Sequence, residues 1–136
     1  SVLAGVPNSL PALVKAWRMQ EKASGVGFDW KHEAPVWDKI TEEIQEFKQA
    51  VQEGSGREKE DEFGDLLFSL VNLARFQHIN PEDALARANQ KFKQRFEGLE
   101  AWMQAENKSW DELSEAQADL YWERIKAGKW PKTKKP

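Results

Sequence analysis

Apolar residues recur every three or four positions along almost the whole chain, the spacing that lines one face of an α-helix. Leu10, Leu13, Val14 and Trp17 keep this spacing in a first predicted helix. It starts at Ser9, carries Pro11 in its first turn and ends near Ser24-Gly25. The stretch GVGFDWKHEAP interrupts the pattern with two glycines and two large aromatics, Phe28 and Trp30. It reads as a loop packed down on the body, because large aromatics are seldom left in water. A second helix runs from about Pro35 to Glu53, with Val36, Ile40, Ile44, Phe47 and Val51 as its stripe. The sequence Gly54-Ser55-Gly56 breaks it.

A third helix spans roughly Arg57 to His78 and is apolar around most of its girth in the second half. Such a helix is central or lies in a subunit interface. Asn80-Pro81-Glu82-Asp83 combines a cap, a first-turn proline and acids at the positive end of the helix dipole. It predicts a fourth helix to about Glu106. Ser109-x-x-Glu112 and Ser114-x-x-Gln117 both fit the capping box, the second opening a last helix at about 115–127 that closes at Gly128. Period-two alternation and hairpin dipeptides are missing. The fold class is therefore all-α, an antiparallel helical bundle with short loops. One domain over residues 1–130 is expected, followed by a disordered basic tail at 131–136.

Composition narrows the function classes. Forty per cent hydrophobic and 32% charged residues suit a globular chain. A net charge of −3 gives no basic footprint for nucleic acid. Cysteine is absent, which removes disulfides and thiolate metal sites. No apolar run reaches the roughly 20 residues of a membrane span. The opening SVLAGVPNSLP lacks the features of a signal peptide, so the expected location is cytoplasmic.

The acids change the picture further. Glu43 and Glu46 are three apart on the second helix, and Glu62 and Asp65 are three apart on the third. Each pair shares a face. Two such pairs on a helical hairpin can converge, and four converging carboxylates call for a hard divalent cation; a solvated acidic face with salt bridges four residues apart is the competing reading. A ferritin-like di-iron bundle would need Glu-x-x-His ligands, and neither His32 nor His78 follows a glutamate at that spacing. A bound Mg²⁺ contacts substrate phosphates, which directs attention to cations: Lys39 four residues before Glu43, and Lys91 with Arg95 on one face of the fourth helix. Asp65, Ser69 and Asn72 share a face, so Ser69 and Asn72 can point into the same cavity; helix packing is the competing role for Asn72. Trp122 can stack on a base or pack in the core, and core packing is the plainer reading.

Taken with its flanks, the arrangement Glu42-Glu43-x-x-Glu46 and Glu62-x-x-Asp65 resembles the E-E-x-x-E and E-x-x-D signature of MazG nucleoside triphosphate pyrophosphohydrolases. The flanks are GVPNSLPALVKAWRMQEKASGVGFDW, DEFGDLLFSLVNLAR and ANQKFKQRF, so the resemblance covers nearly the whole chain. It is closest to the second, catalytic repeat of the two-domain bacterial form, and SVLAGVPNSLP reads like the linker before such a repeat. The resemblance implies an all-α homodimer whose subunits complete one bundle. It implies hydrolysis of (deoxy)nucleoside triphosphates to monophosphate and pyrophosphate with Mg²⁺, or Mn²⁺, on Glu43, Glu46, Glu62 and Asp65. It places Lys39, Glu43, Glu58, Lys59, Asp61, Lys91, Arg95 and Trp122 at positions that contact nucleotide, with Asn72 as a further candidate. Glu58 stands where a lysine can occur, and Lys59 can substitute for it.

Glu42 or Glu46 is the expected acceptor of the proton from the attacking water. Stacking tolerates any base, so a broad substrate range is expected, and the resemblance implies a role in cleaning the nucleotide pool. Two alternatives stand beside this reading: a pyrophosphatase specialised for a pyrimidine deoxynucleotide or damaged nucleotide, and a non-catalytic helical dimerisation or regulatory module.

Overall fold

The computed structural model describes residues 1–132. Of the expected basic tail, residues 133–136 lie outside the described residues. Five α-helices follow one another: α1 Ala12–Gly25, α2 Ala34–Glu53, α3 Gly56–Phe76, α4 Pro81–Ala105 and α5 Glu115–Lys126. A short 3₁₀ turn, Trp110–Glu112, precedes α5. No strand occurs among the described residues, so the all-α class holds.

The chain forms two compact units, one over Ser1–Ala84 and the other from Leu85 onward. In the first unit α2 and α3 form a hairpin, and α1 packs on α3. The hairpin turn is tight. Gly54 N–H donates to Ala50 O at 2.8 Å, and a Cβ at residue 54 would sit 2.6 Å from that oxygen. Ser55 then caps α3, its hydroxyl accepting from Glu58 N–H at 3.2 Å. Val36, Ile40 and Ala50 of α2 and Val71 of α3 are the buried apolar positions of this hairpin. The rings of Phe47 and Phe63 meet across it at 5.3 Å.

The second unit centres on Leu99, Met103 and Tyr121, with Phe96, Trp102, Leu113 and Trp122 packed around them. Gly98 lets α5 approach α4 closely, since a Cβ there would lie 2.4 Å from Ile125 Cδ1. Ser114 caps α5, accepting from Gln117 N–H at 3.1 Å while Gln117 Oε1 accepts from Ser114 N–H at 3.4 Å.

Two expectations are corrected. The first helix starts at Ala12, not Ser9, because a residue before proline is disfavoured in helical conformation and Pro11 takes the cap position. The 26–33 loop is not packed down: Phe28 is 81% exposed and Trp30 44%. Their backbone is anchored instead. Gly27 adopts φ +90°, which glycine tolerates, and Phe28 N–H closes the end of α1 on Ala23 O at 3.0 Å.

Candidate functional site

Helix spacing creates the site. Glu43 and Lys39 lie one turn apart on α2, and Glu62 and Asp65 one turn apart on α3. The tight turn at Gly54 sets the two helices side by side, and carboxylate oxygens of Glu43, Glu62 and Asp65 come within 4.8 Å of one another. Glu43 is only 5% exposed. Burying a carboxylate is costly without partners. One Glu43 oxygen accepts from Lys39 Nζ at 3.0 Å, and the same ammonium reaches Glu42 at 3.5 Å. The other, Oε2, is buried without a hydrogen-bond partner, and so is Glu62 Oε2. Both lone pairs face a crowd of negative charge that Lys39 alone does not balance.

Glu46 stands outside the triad, exposed, with Glu62 as a like-charged neighbour. Its carboxyl is held above the usual range, chiefly by the negative charge of Glu43, then by desolvation and by Glu62. Neighbouring Glu43 also raises the Lys39 ammonium, which for a base favours the charged form. Three carboxylates with two unpartnered buried oxygens, all hard donors, fit a hard divalent cation. Glu58, Lys59 and Asp61 occupy the exposed first turns of α3.

Two turns beyond Asp65, about 10 Å along α3, lies a cavity of about 520 Å³ within the first unit. Met19 of α1, Phe28 and Trp30 of the loop and Phe68 of α3 form apolar walls. The polar groups on it are few, as in small-molecule sites. Asp29 and Arg75 make a two-pronged ion pair at 2.8 and 2.7 Å. The Arg75 guanidinium holds the Asp29 carboxyl down at about 2, helped by Ser24 and by Trp30 N–H and opposed by burial. Arg75 Nη2 also donates to Asn72 Oδ1 at 2.9 Å. Gln20, 6% exposed, donates to Phe68 O at 3.0 Å and leaves its own Oε1 buried without a partner.

The structure thus brings Lys39, Glu43, Glu62 and Asp65 together, with Glu42 and Glu46 at the margin. Asn72 lines the cavity. Ser69, expected beside it, is buried and returns its hydroxyl to Leu66 O at 2.7 Å, so it serves its own helix. Lys91, Arg95 and Trp122 belong to the second unit, where Lys91 is exposed, Arg95 half-buried and Trp122 packed 5.7 Å from Phe92. Sequence reasoning missed Asp29, Arg75 and Gln20. The available signals were a carboxylate between two aromatics and a basic residue in the last turn of an apolar helix.

Residues 33–99 match the MazG nucleotide pyrophosphohydrolase domain. The nucleoside triphosphate pyrophosphohydrolase/pyrophosphatase MazG of Thermotoga maritima is 48% identical over 119 residues, 88% of this chain and 46% of that protein. The nucleoside triphosphate pyrophosphohydrolase of Escherichia coli K12 is 39% identical over 130 residues, 93% of this chain and 49% of its own length. An uncharacterized Bacillus subtilis protein, YabN, is 42% identical over 127 residues, 93% of this chain and 26% of its own. The chain spans about half the length of the first two relatives, 46% and 49%.

Proposed function

The chain belongs to the MazG nucleotide pyrophosphohydrolase family, and from that premise we propose that it hydrolyses nucleoside and deoxynucleoside triphosphates to the monophosphate and pyrophosphate in the presence of Mg²⁺, with Mn²⁺ able to replace it. One observation carries the proposal: Glu43, Glu62 and Asp65 meet within 4.8 Å, and two of their buried oxygens lack partners. Bound there, the cation would neutralise charge on the triphosphate and act as a Lewis acid.

The chain's own groups do the rest. Glu43, Glu62 and Asp65 would hold the cation, with Glu46 at the edge of the set. Glu46 is also the better candidate to take the proton, because it stands exposed beside the triad and Glu42 is tied to Lys39. A water oxygen bonds to the α-phosphorus and the bond to the β-phosphate bridge breaks. The water proton passes to Glu46 and the electron pair leaves with pyrophosphate. Lys39 sits where an ammonium can turn from Glu43 to a phosphate oxygen. Glu58, Lys59, Asp61, Lys91, Arg95 and Trp122 enter as nucleotide contacts from the family resemblance alone. The cavity two turns along α3 is assigned to the nucleoside, with Phe28 and Trp30 as stacking surfaces that tolerate many bases.

A cytoplasmic enzyme that clears the nucleotide pool is the physiological reading. No helix among the described residues is long and apolar enough to cross a membrane. Homodimerisation is supported by apolar side chains left open on the hairpin: Phe63, Leu67, Phe68 and Leu70 are 41–47% exposed. Pyrophosphate release, measured across common and oxidised triphosphates with and without Mg²⁺, tests the activity. No release from any of them in Mg²⁺ overturns it.

A further inference from the structure

The orientation of the Asn72 amide is not free. Its oxygen faces Arg75 Nη2 at 2.9 Å. A guanidinium has donors and no acceptor, so the amide nitrogen cannot take that place. Arg75 is itself fixed, because Asp29 accepts from both Nη1 and Nη2. The amide nitrogen of Asn72 therefore points away from Arg75 with two N–H donors. Among the described residues no acceptor takes them, and the nitrogen is not among the buried unpartnered atoms. Asn72 itself lines the cavity.

We propose that Asp29, acting through Arg75, fixes Asn72 as a hydrogen-bond donor in the cavity, so that the enzyme favours nucleotides presenting a keto oxygen over isosteres presenting an amino group. The inference rests on the cavity being the nucleoside site. Asn72 touches the base; Asp29 and Arg75 are positioning residues. The apolar walls, Met19, Phe28, Trp30 and Phe68, are blind to this difference, because an apolar surface distinguishes isosteric polar groups poorly, and the opposing acceptor on the lining, Gln20 Oε1, is itself buried. Breadth of ring type and bias of polar edge can therefore coexist in one pocket.

The test uses pairs that exchange a keto oxygen for an amino group, the adjacent ring N–H becoming an acceptor nitrogen in the same step: uridine against cytidine nucleotides, and inosine against adenosine nucleotides. Dissociation constants of the monophosphates come from calorimetry on the full chain. KM and kcat for the triphosphates come from pyrophosphate release. Wild type should favour the keto member of each pair by about fivefold, the scale of one net hydrogen bond. N72D cannot donate and should erase or invert the ratio. D29N places an amide against the guanidinium and breaks the two-pronged pair. It should pull the ratio towards one, moving KM more than kcat.

Equal or amino-favouring affinities in wild type overturn the inference. So do N72D and D29N proteins that keep the wild-type ratio, or a chain that binds neither monophosphate. If D29N fails to fold, N72D alone decides. The activity is judged separately: keto-selective monophosphate binding without pyrophosphate release from any triphosphate leaves the inference standing and removes the proposed reaction.

Discussion

One helix, α3, carries carboxylate chemistry of two opposite kinds. Near its start Glu62 and Asp65 crowd against Glu43, and Lys39 is the cation paired with that cluster among the described residues. Near its end Arg75 meets a single carboxylate, Asp29, with two hydrogen bonds. The same functional group is pushed in opposite directions. Glu46 beside the crowd is raised, mainly by the charge of Glu43, while Asp29 is lowered to about 2, mainly by Arg75. An over-charged cluster is poised to take a cation. A satisfied pair is poised to hold something still. Burial alone would not separate them; the count of partners does.

Four changes probe that contrast. The largest effect is expected from Asp65→Asn, which removes an exposed carboxylate from the cluster. Pyrophosphate release should fall about 100-fold or more, since such a cation supplies several kcal/mol to the reaction. Helicity and metal-free melting temperature should hold or rise, because one repelling charge is gone. Retained turnover would erase the distinction between the clusters. Next comes Asp29→Ala. The shift from 3.8 to about 2 corresponds to about 2 kcal/mol at neutral pH. Loss of that amount should lower the melting temperature by several degrees. The sign is that of a depressed acid: its contribution is full above pH 3.8 and disappears as pH falls through about 2. An Asp29→Ala acid-denaturation curve parallel to wild type would show that the pair adds nothing.

Smaller in size is the response to Mg²⁺. At ten times the dissociation constant, mass action should stabilise the wild-type chain by about 1.4 kcal/mol. Differential scanning calorimetry should show this shift lost in Asp65→Asn and kept in Asp29→Ala. The reverse outcome would mean that the wrong carboxylate has been assigned to the cation. The smallest effect belongs to Glu46→Gln. Glu46 is raised above 4.5, so its stabilising contribution is present below that pH and is lost as pH rises through the raised value. The metal-free variant should therefore hold its stability better than wild type on going from pH 4 to 7, as read by thermal melts.

Much of this architecture is written locally. Ser55, Asn80 and Ser114 announce helix starts because a short polar side chain reaches N–H groups two or three residues on. The acids of the cluster are legible for a similar reason: spacing of three or four fixes a shared face. What the sequence conceals is non-local or left-handed. Asp29 and Arg75 are 46 positions apart, and no periodicity relates a loop residue to a helix end. The stops at His78 and Asn107 use positive φ at residues other than glycine, each followed by an N–H that returns to a helix carbonyl, as in Ile79 to Ala74 O at 2.8 Å. Phe28 defeats the rule that large aromatics are covered, because its neighbour Asp29 anchors the loop by charge and leaves the ring outward.

The close approach at Gly98 bears on how this chain can be engineered. Replacing a mid-helix glycine by alanine is a routine route to a stiffer helix, worth up to about 1 kcal/mol. Here the added methyl would strike Ile125, and overpacking of that kind costs about 1–3 kcal/mol. Thermostabilisation by that shortcut should backfire at position 98 unless Ile125 is trimmed in the same step.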